Sequence, residues 1–389
     1  MWDGILEQSE TVDGLVNSCP LLDYVAEIAK PGAFQLVDVG CSGGIDRPWR
    51  RLGRGLHAIG IDADVAEIER LQAAENNPGV TYLSAFAGIA PDHPFAMKKK
   101  GKPDLERNPW PRLSTARYME IAYPKDKLVT DKEKRSANLW PESRLADPES
   151  PVIVPEYLKS RGIASLDFLK IDVDGKDFEI LQSFDQTLAE LGVLGVGIEV
   201  RFWGSHVDTD GAFHNVDRFL KAQGFELFNL SIRRYSTAAL PSRFSGRAPG
   251  ATEMGRVHQG DAMYARDLGS GLYDDFAKRL TGEKVLNLAA IFAVFDLPDC
   301  AAEVALKFRS VLALVCDVDK VLDLLAAQAQ PRGSARVGGY RELMEDFGRR
   351  PRGFLATKNP LVRAGRAWKK DYLKWRGRLQ LLKREREGF

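Results

Sequence analysis

The sequence predicts an α/β protein, a doubly wound parallel sheet followed by a helical extension. Three observations carry this: short apolar strand-like runs alternate with helical stretches, the first run ends in a glycine-rich turn, and beyond about residue 268 the pattern becomes helical.

Residues 12–29 place apolar side chains at three and four spacing, as an amphipathic helix does, and Pro31-Gly32 stops them. Residues 34–39 and 57–61 read as strands, with room between them for at most a short helix. Residues 65–76 are helical by period and 80–84 form a third strand. From 91 to 155 the rhythm breaks with prolines, the run Lys98-Lys99-Lys100 and one short helix around 112–121, an irregular insert of the length expected of a lid. The sheet pattern returns at 166–172, followed by a helix through Leu181 and Leu188, a buried strand at 193–200, a helix at 216–223, and strands at 225–230 and 260–265. Residues 285–294 and 298–325 then read as helices. The expected organisation is an N-terminal helical segment 1–30, a main domain 31–268 containing the insert 91–155, a helical domain 269–348 and a basic helical tail 349–389.

With 389 residues, 44% hydrophobic and 28% charged, the chain has the composition of a soluble globular protein. Cys19, Cys41, Cys300 and Cys316 show no CxxC spacing, so neither a zinc site nor a disulfide framework is expected, and a reducing cytoplasm fits best. No basic and apolar leader pattern or membrane-spanning run is present. The net charge of +1 conceals a tail from Arg349 with fourteen Lys/Arg against three Asp/Glu. Within it Trp368, Tyr372 and Trp375 are spaced along one helical face among Lys369, Lys370, Lys374 and Arg376. This pattern predicts peripheral association with an anionic surface, the inner membrane leaflet or a phosphorylated glycan, the alternative being rings docked on the helical domain. A nucleic-acid partner is disfavoured, because the basic surplus sits in a tail rather than around the main domain. Oligomeric state is not encoded legibly.

The segment VDVGCSGG, residues 37–44, supplies Asp38, Gly40 and Gly44 at DxGxxxG spacing directly after a strand. The glycines let backbone approach a ligand, or serve only a tight turn, and Asp38 can anchor the loop or a ligand amino group. Asp62 ends the next strand, where a carboxylate can accept both ribose hydroxyls of an adenosine; Asp64 competes for that role. Ser42 and Ala63 adjoin these positions, and Phe86 and Ala87 follow the third strand where adenine is expected. Together they indicate a nucleoside cofactor without separating a dinucleotide from S-adenosylmethionine.

Residues 166–183, LDFLKIDVDGKDFEILQS, resemble the FkbM family of methyltransferases, whose hallmark reads approximately LDFLKIDVEG before a helix. Asp167 to Val173, Gly175 and Leu181 match. Asp174 and Asp177 replace glutamates and Ser183 replaces glycine. The resemblance spans roughly residues 34–266 and is similar to a branch carrying Gly260-Asp261-Ala262-x-Tyr264 and a helical C-terminal extension. It implies a Rossmann-like class I methyltransferase domain that transfers a methyl group from S-adenosylmethionine to a hydroxyl of a sugar or glycan in polysaccharide or lipopolysaccharide biosynthesis. A sugar hydroxyl is a very weak acid, so Asp172 and Glu199, at neighbouring strand ends, are candidates to share general-base work or hold Mg²⁺, the alternative being that Asp172 only fixes the loop or the cofactor. His206 and His214 are alternative bases. Lys170, Asn138 and Trp140 are candidates for the acceptor side. The rival readings are a small natural product as acceptor, a nucleotide-binding oxidoreductase, and a glycan-assembly scaffold without catalysis.

Overall fold

The structure, a computed structural model, describes residues 19–99, 144–173, 175–236, 254–270, 274–278, 280–330 and 338–354. It divides into two units, Met1–Ala329 and Gln330–Phe389.

The first half of unit one runs α1 (Pro20–Ile28), β1 (Phe34–Val39), α2 (Arg47–Arg50), β2 (Leu56–Asp62), α3 (Val65–Ala74), β3 (Val80–Ser84), α4 (Pro94–Lys99), α5 (Val154–Ser160) and β4 (Phe168–Ile171). It continues with α6 (Asp177–Phe184), α7 (Thr187–Glu190), β5 (Gly195–Arg201), α8 (Phe213–Ala222), β6 (Glu226–Tyr235) and β7 (Arg256–Ala265). The remaining helices are α9 (Asp274–Ala277), α10 (Gly282–Val294), α11 (Pro298–Lys307), α12 (Arg309–Leu312) and α13 (Val318–Ala329). Unit two contributes α14 (Tyr340–Arg349) and a 3₁₀ turn, Pro351–Phe354.

The seven strands order as β3-β2-β1-β4-β5-β7-β6, all parallel except β7, which pairs antiparallel with β5 and β6. The inner strands are continuous apolar runs because both faces are covered. Strand order reverses between β1 and β4, and ligands of such sheets bind beyond the carboxyl ends at that switch. An antiparallel strand wedged between β5 and β6 departs from the 3-2-1-4-5-6 order of dinucleotide-binding sheets.

One face packs on α5, α6 and α8 through Leu158, Leu181, Phe184, Val216 and Leu220. The other would be thinly covered, because the β1–β2 crossover holds only the four residues of α2. Helix α10 fills it, buried along most of its length. Asn287 Nδ2 donates to Ala33 O at 2.9 Å, Lys284 meets Asp167 at 2.6 Å, and Phe295 joins Trp49 and Phe168 in one aromatic cluster. The expected helical domain 269–348 therefore divides: its part up to Ala329 belongs to the unit containing the sheet, where it supplies a missing layer, and α14 belongs to the second unit. The helix expected at 298–325 is broken, since the Asp317 carboxylate accepts the amides of Asp319 and Lys320 and so starts α13 afresh.

The ends of the insert lie over the carboxyl edge of the sheet. Helix α4 docks on α6 through the edge-to-face pair Phe95–Phe178, with ion pairs Lys98–Asp208 and Lys99–Glu179. The returning segment is stitched across β2 and β3, as Ala146 N donates to Ala63 O and Val152 N to Phe86 O. The helix expected at 112–121 lies outside the described residues.

Candidate active site

The loop after β1 is fixed by glycines and carboxylates. Gly40, Gly43 and Gly44 all have φ near +90°, a region that side chains rarely adopt. A Cβ on Gly40 would lie 1.8 Å from the Asp172 carbonyl oxygen, so the loops after β1 and β4 touch at the switch point. Gly40 and Cys41 donate their amides to Ile61 O, and Gly44 donates to Cys41 O. The Ser42 amide lies against the Asp62 carboxylate, and Gly43 N donates to Glu67 Oε1 at 3.0 Å. Every amide of the loop is thus directed at a protein acceptor, two of them at carboxylates.

Asp62 ends β2 beside Ser84 and accepts the Asp64 amide at 2.9 Å. Burial raises its carboxyl, against the pull of the Asp64 and Ser42 amides. Asp64 instead caps α3, accepting from Ala66 N and Glu67 N. Each carboxylate thus accepts two backbone amides, Asp62 from the loop side and Asp64 from the start of α3.

Behind the loop lies a buried charge cluster. Asp38 and Lys170 are in direct register across β1 and β4, with Nζ 3.3 Å from Asp38 and 3.5 Å from Asp46. Burial works against the lysine charge, but Asp38, Asp46 and Asp172 together raise its pKa and hold it protonated. Burial raises the Asp38 carboxyl and Lys170 opposes the rise.

Beyond Asp172 is a second cluster, assembled from β5, β6 and β7. Glu199 and Asp261 face each other in register, and Arg233 bridges them, with two bonds to Asp261 and one to Glu199. Gln259 Nε2 adds a 2.7 Å bond to Glu199. Burial, and next Asp172, raise the Glu199 carboxyl while Arg233 opposes. Asp261 is raised to about 6, first by burial. Asp177 closes the loop after β4 by accepting from Val173 N and Gly175 N, and burial followed by Asp172 raises it to about 7.

Residues 58–227 match the Methyltransferase FkbM domain family. Over those 170 of its 389 residues the chain is similar to an FkbM methyltransferase domain. No curated protein matches it. Among solved structures it is similar to a TehB-like SAM-dependent methyltransferase from Corynebacterium glutamicum, at 12% identity over 67% of this chain and 92% of that chain, TM-score 0.25. It is also similar to a SAM dependent methyltransferase from Aquifex aeolicus, at 9% identity over 67% and 97% of the two chains, TM-score 0.26. Sp1610 from Streptococcus pneumoniae, in complex with S-adenosyl-L-methionine, aligns at 11% identity over 71% and 97%, TM-score 0.25. Scores this low leave the assignment resting on the domain match and on the residues above.

The methyltransferase domain gathers Asp38, Gly40, Ser42, Gly44, Asp62 and Asp172 around the switch point, with Glu199 on the next strand. Ala63 and Phe86 offer their carbonyls, and Ala87 its bridge to Val152, to the returning insert segment. Several expectations are corrected. The close approach that Gly40 and Gly44 permit is to protein, Gly44 lying against Leu71 and Tyr82, whereas a Cβ on Gly43 would meet nothing within 4 Å. Lys170 does not reach the acceptor side, being 4% exposed beneath the loop. His206 and His214 are exposed, outside both clusters. A divalent cation does not fit at Asp172 and Glu199, because a guanidinium already binds Glu199; among the described residues no three His, Cys, Asp or Glu groups are placed to hold a metal. Asn138 and Trp140 lie outside the described residues.

Sequence reasoning missed Glu67, Arg233 and His258, and noted Asp261 only as part of the Gly260-Asp261-Ala262-x-Tyr264 segment, without a role. His258 is buried between Trp203 and Tyr235, and burial, then Arg256, lowers its pKa to about 4. The one available signal was a run of polar residues, Arg256, His258, Gln259 and Asp261, inside an otherwise apolar strand.

Proposed function

We propose that the chain is an S-adenosylmethionine-dependent O-methyltransferase acting on a hydroxyl of a sugar or glycan. The observation that carries the cofactor reading is the electrostatics of the glycine loop. A dinucleotide loop offers amides to a pyrophosphate. Here the loop amides are directed at Ile61 O, Cys41 O, Asp62 and Glu67, and Asp38, Asp46 and Asp172 lie alongside. A pyrophosphate would meet negative charge there, whereas the ammonium and sulfonium groups of S-adenosylmethionine meet complementary charge. Asp62 accepts the ribose hydroxyls, and Ser42, Ala63, Phe86 and Ala87 border the nucleoside.

When bound, S-adenosylmethionine supplies a methyl group already activated by its sulfonium. What remains for the chain is to position the acceptor oxygen and take its proton as the oxygen–methyl bond forms and the sulfur–methyl bond breaks. Asp172 takes that role. It is partly exposed beside the glycine loop, while Glu199 is held by Arg233 and Gln259 and orients the site. The glycan acceptor rests on the resemblance of residues 166–183, with no contact among the described residues to name the sugar.

The C-terminal stretch from Arg349 holds this enzyme at an anionic surface. The helix that leads into it, α14, is amphipathic: Glu345 pairs with Arg349 and Asp346 with Arg350 just beyond the helix, while Met344 and Phe347 are exposed. Among the described residues no helix is long and apolar enough to cross a membrane.

The test is transfer of a labelled methyl group from S-adenosylmethionine to a panel of glycans, phenolic natural products and amines. Label on a glycan hydroxyl is expected, with Asp172→Asn binding cofactor normally but turning over about a hundred-fold or more slowly. Label on an amine, or only on a non-sugar hydroxyl, would refute the acceptor reading.

A further inference from the structure

The structure assigns to Glu67 the task of positioning the cofactor loop, an inference that rests on the cofactor reading above. Gly43 is the loop residue on the open side, where an added Cβ would meet no atom within 4 Å. Its left-handed backbone has no side chain to restrain it, and its amide is restrained by Glu67 alone among the described residues. Glu67 reaches the loop from the first turn of α3 and is itself only 9% exposed. Arg70 braces the carboxylate from behind, with Nε 2.8 Å from Oε2 and Nη2 2.6 Å from Oε1. Asp64 fixes the start of the same helix by accepting the Glu67 amide.

The consequence is a relay from β2 to the cofactor. Asp62 holds the Ser42 amide, Asp64 holds α3, and α3 aims Glu67 at Gly43. The loop is therefore closed before any ligand arrives, so binding need not meet the cost of ordering it. Glu67 also takes the amide that would otherwise face an anion, so the same contact that preorganises the loop for a cationic cofactor makes it a poor phosphate cradle. Glu67 acts through the loop and touches no reacting atom.

The test uses the full chain and S-adenosylhomocysteine. In calorimetry, Glu67→Ala is expected to weaken binding about ten- to a hundred-fold, the span of one charge-assisted hydrogen bond. Glu67→Gln keeps an acceptor for the Gly43 amide and should recover most of the affinity. Arg70→Ala keeps the Gly43 bond but removes its brace, and should weaken binding by less than Glu67→Ala does. Hydrogen exchange without ligand gives a second readout: residues 41–45 should exchange faster in Glu67→Ala and the β4 amides should not. Parent-like affinity together with parent-like exchange in Glu67→Ala would overturn the proposal. If the parent itself failed to bind S-adenosylhomocysteine, the cofactor reading would fall, while the exchange data would still decide whether Glu67 holds the loop.

Discussion

The carbonyl oxygen of Asp172 occupies the place that a side chain on Gly40 would need, at 1.8 Å from an added Cβ. That contact joins the two loops that flank the switch point, and it ties the cofactor loop to the candidate general base. Gly40→Ala is accordingly expected to cost about 3 kcal/mol or more, from left-handed strain plus a backbone collision. Gly43→Ala, with the same strain and no collision, should cost about 1 kcal/mol. Urea denaturation of the two variants checks this; equal losses would mean that the contact is not built as described.

Asp62 and Asp64 stand two residues apart with different tasks. Asp62→Ala should weaken S-adenosylmethionine binding by about ten-fold or more, because the ribose loses a charged acceptor. Asp64→Ala should weaken affinity less than Asp62→Ala, acting only through the placement of Glu67, and lower stability by about 1 kcal/mol, the usual value of a helix cap. Calorimetry and denaturation on both variants separate the two roles, and reversed results would reassign the ribose carboxylate.

His258 carries a pH signature. Its folded pKa of about 4 lies below the ordinary 6.5, owing to burial and then to Arg256. Between those values the unfolded chain binds the extra proton, so stability from this group is complete above pH 6.5 and is lost as pH falls toward 4. His258→Phe should flatten the decline in unfolding midpoint across that window. An unchanged slope would show that other groups govern the acid side.

The strands and the glycine loop were legible because β1 to β5 are apolar runs bounded by turn residues, and Asp38, Gly40, Gly44 and Asp62 recur at fixed distances from strand ends. Lys170 was not, since a lysine within LDFLKID reads as surface or as chemistry until register sets it opposite Asp38. Glu199 suffered the same fate: its partners Asp261 and Arg233 come from β7 and β6, far along the chain, so a carboxylate that resembled a metal ligand proves to be held by a guanidinium. Helix α10 was recognised as a helix, but hydropathy cannot distinguish an apolar helix in a separate bundle from one that covers a sheet. That distinction follows from the shortness of the β1–β2 crossover.

The tail makes its own prediction. Clustered Lys/Arg near an anionic bilayer contribute about 1 kcal/mol each before salt screening. The full chain should float with anionic but not neutral liposomes and lose this at high salt, whereas a chain ending at Gly348 should remain behind. Equal flotation of both would limit the tail to packing.

The proposed cofactor preference rests on an acidic, amide-saturated loop that favours a cationic methyl donor over a dinucleotide. Titration of the full chain with S-adenosylmethionine and, separately, with NADH tests it most directly. Saturable binding of one S-adenosylmethionine per chain, weakened by Asp62→Ala, is expected, with no measurable heat from NADH. Saturable NADH binding that competes with S-adenosylmethionine, or no S-adenosylmethionine binding at all, would contradict it.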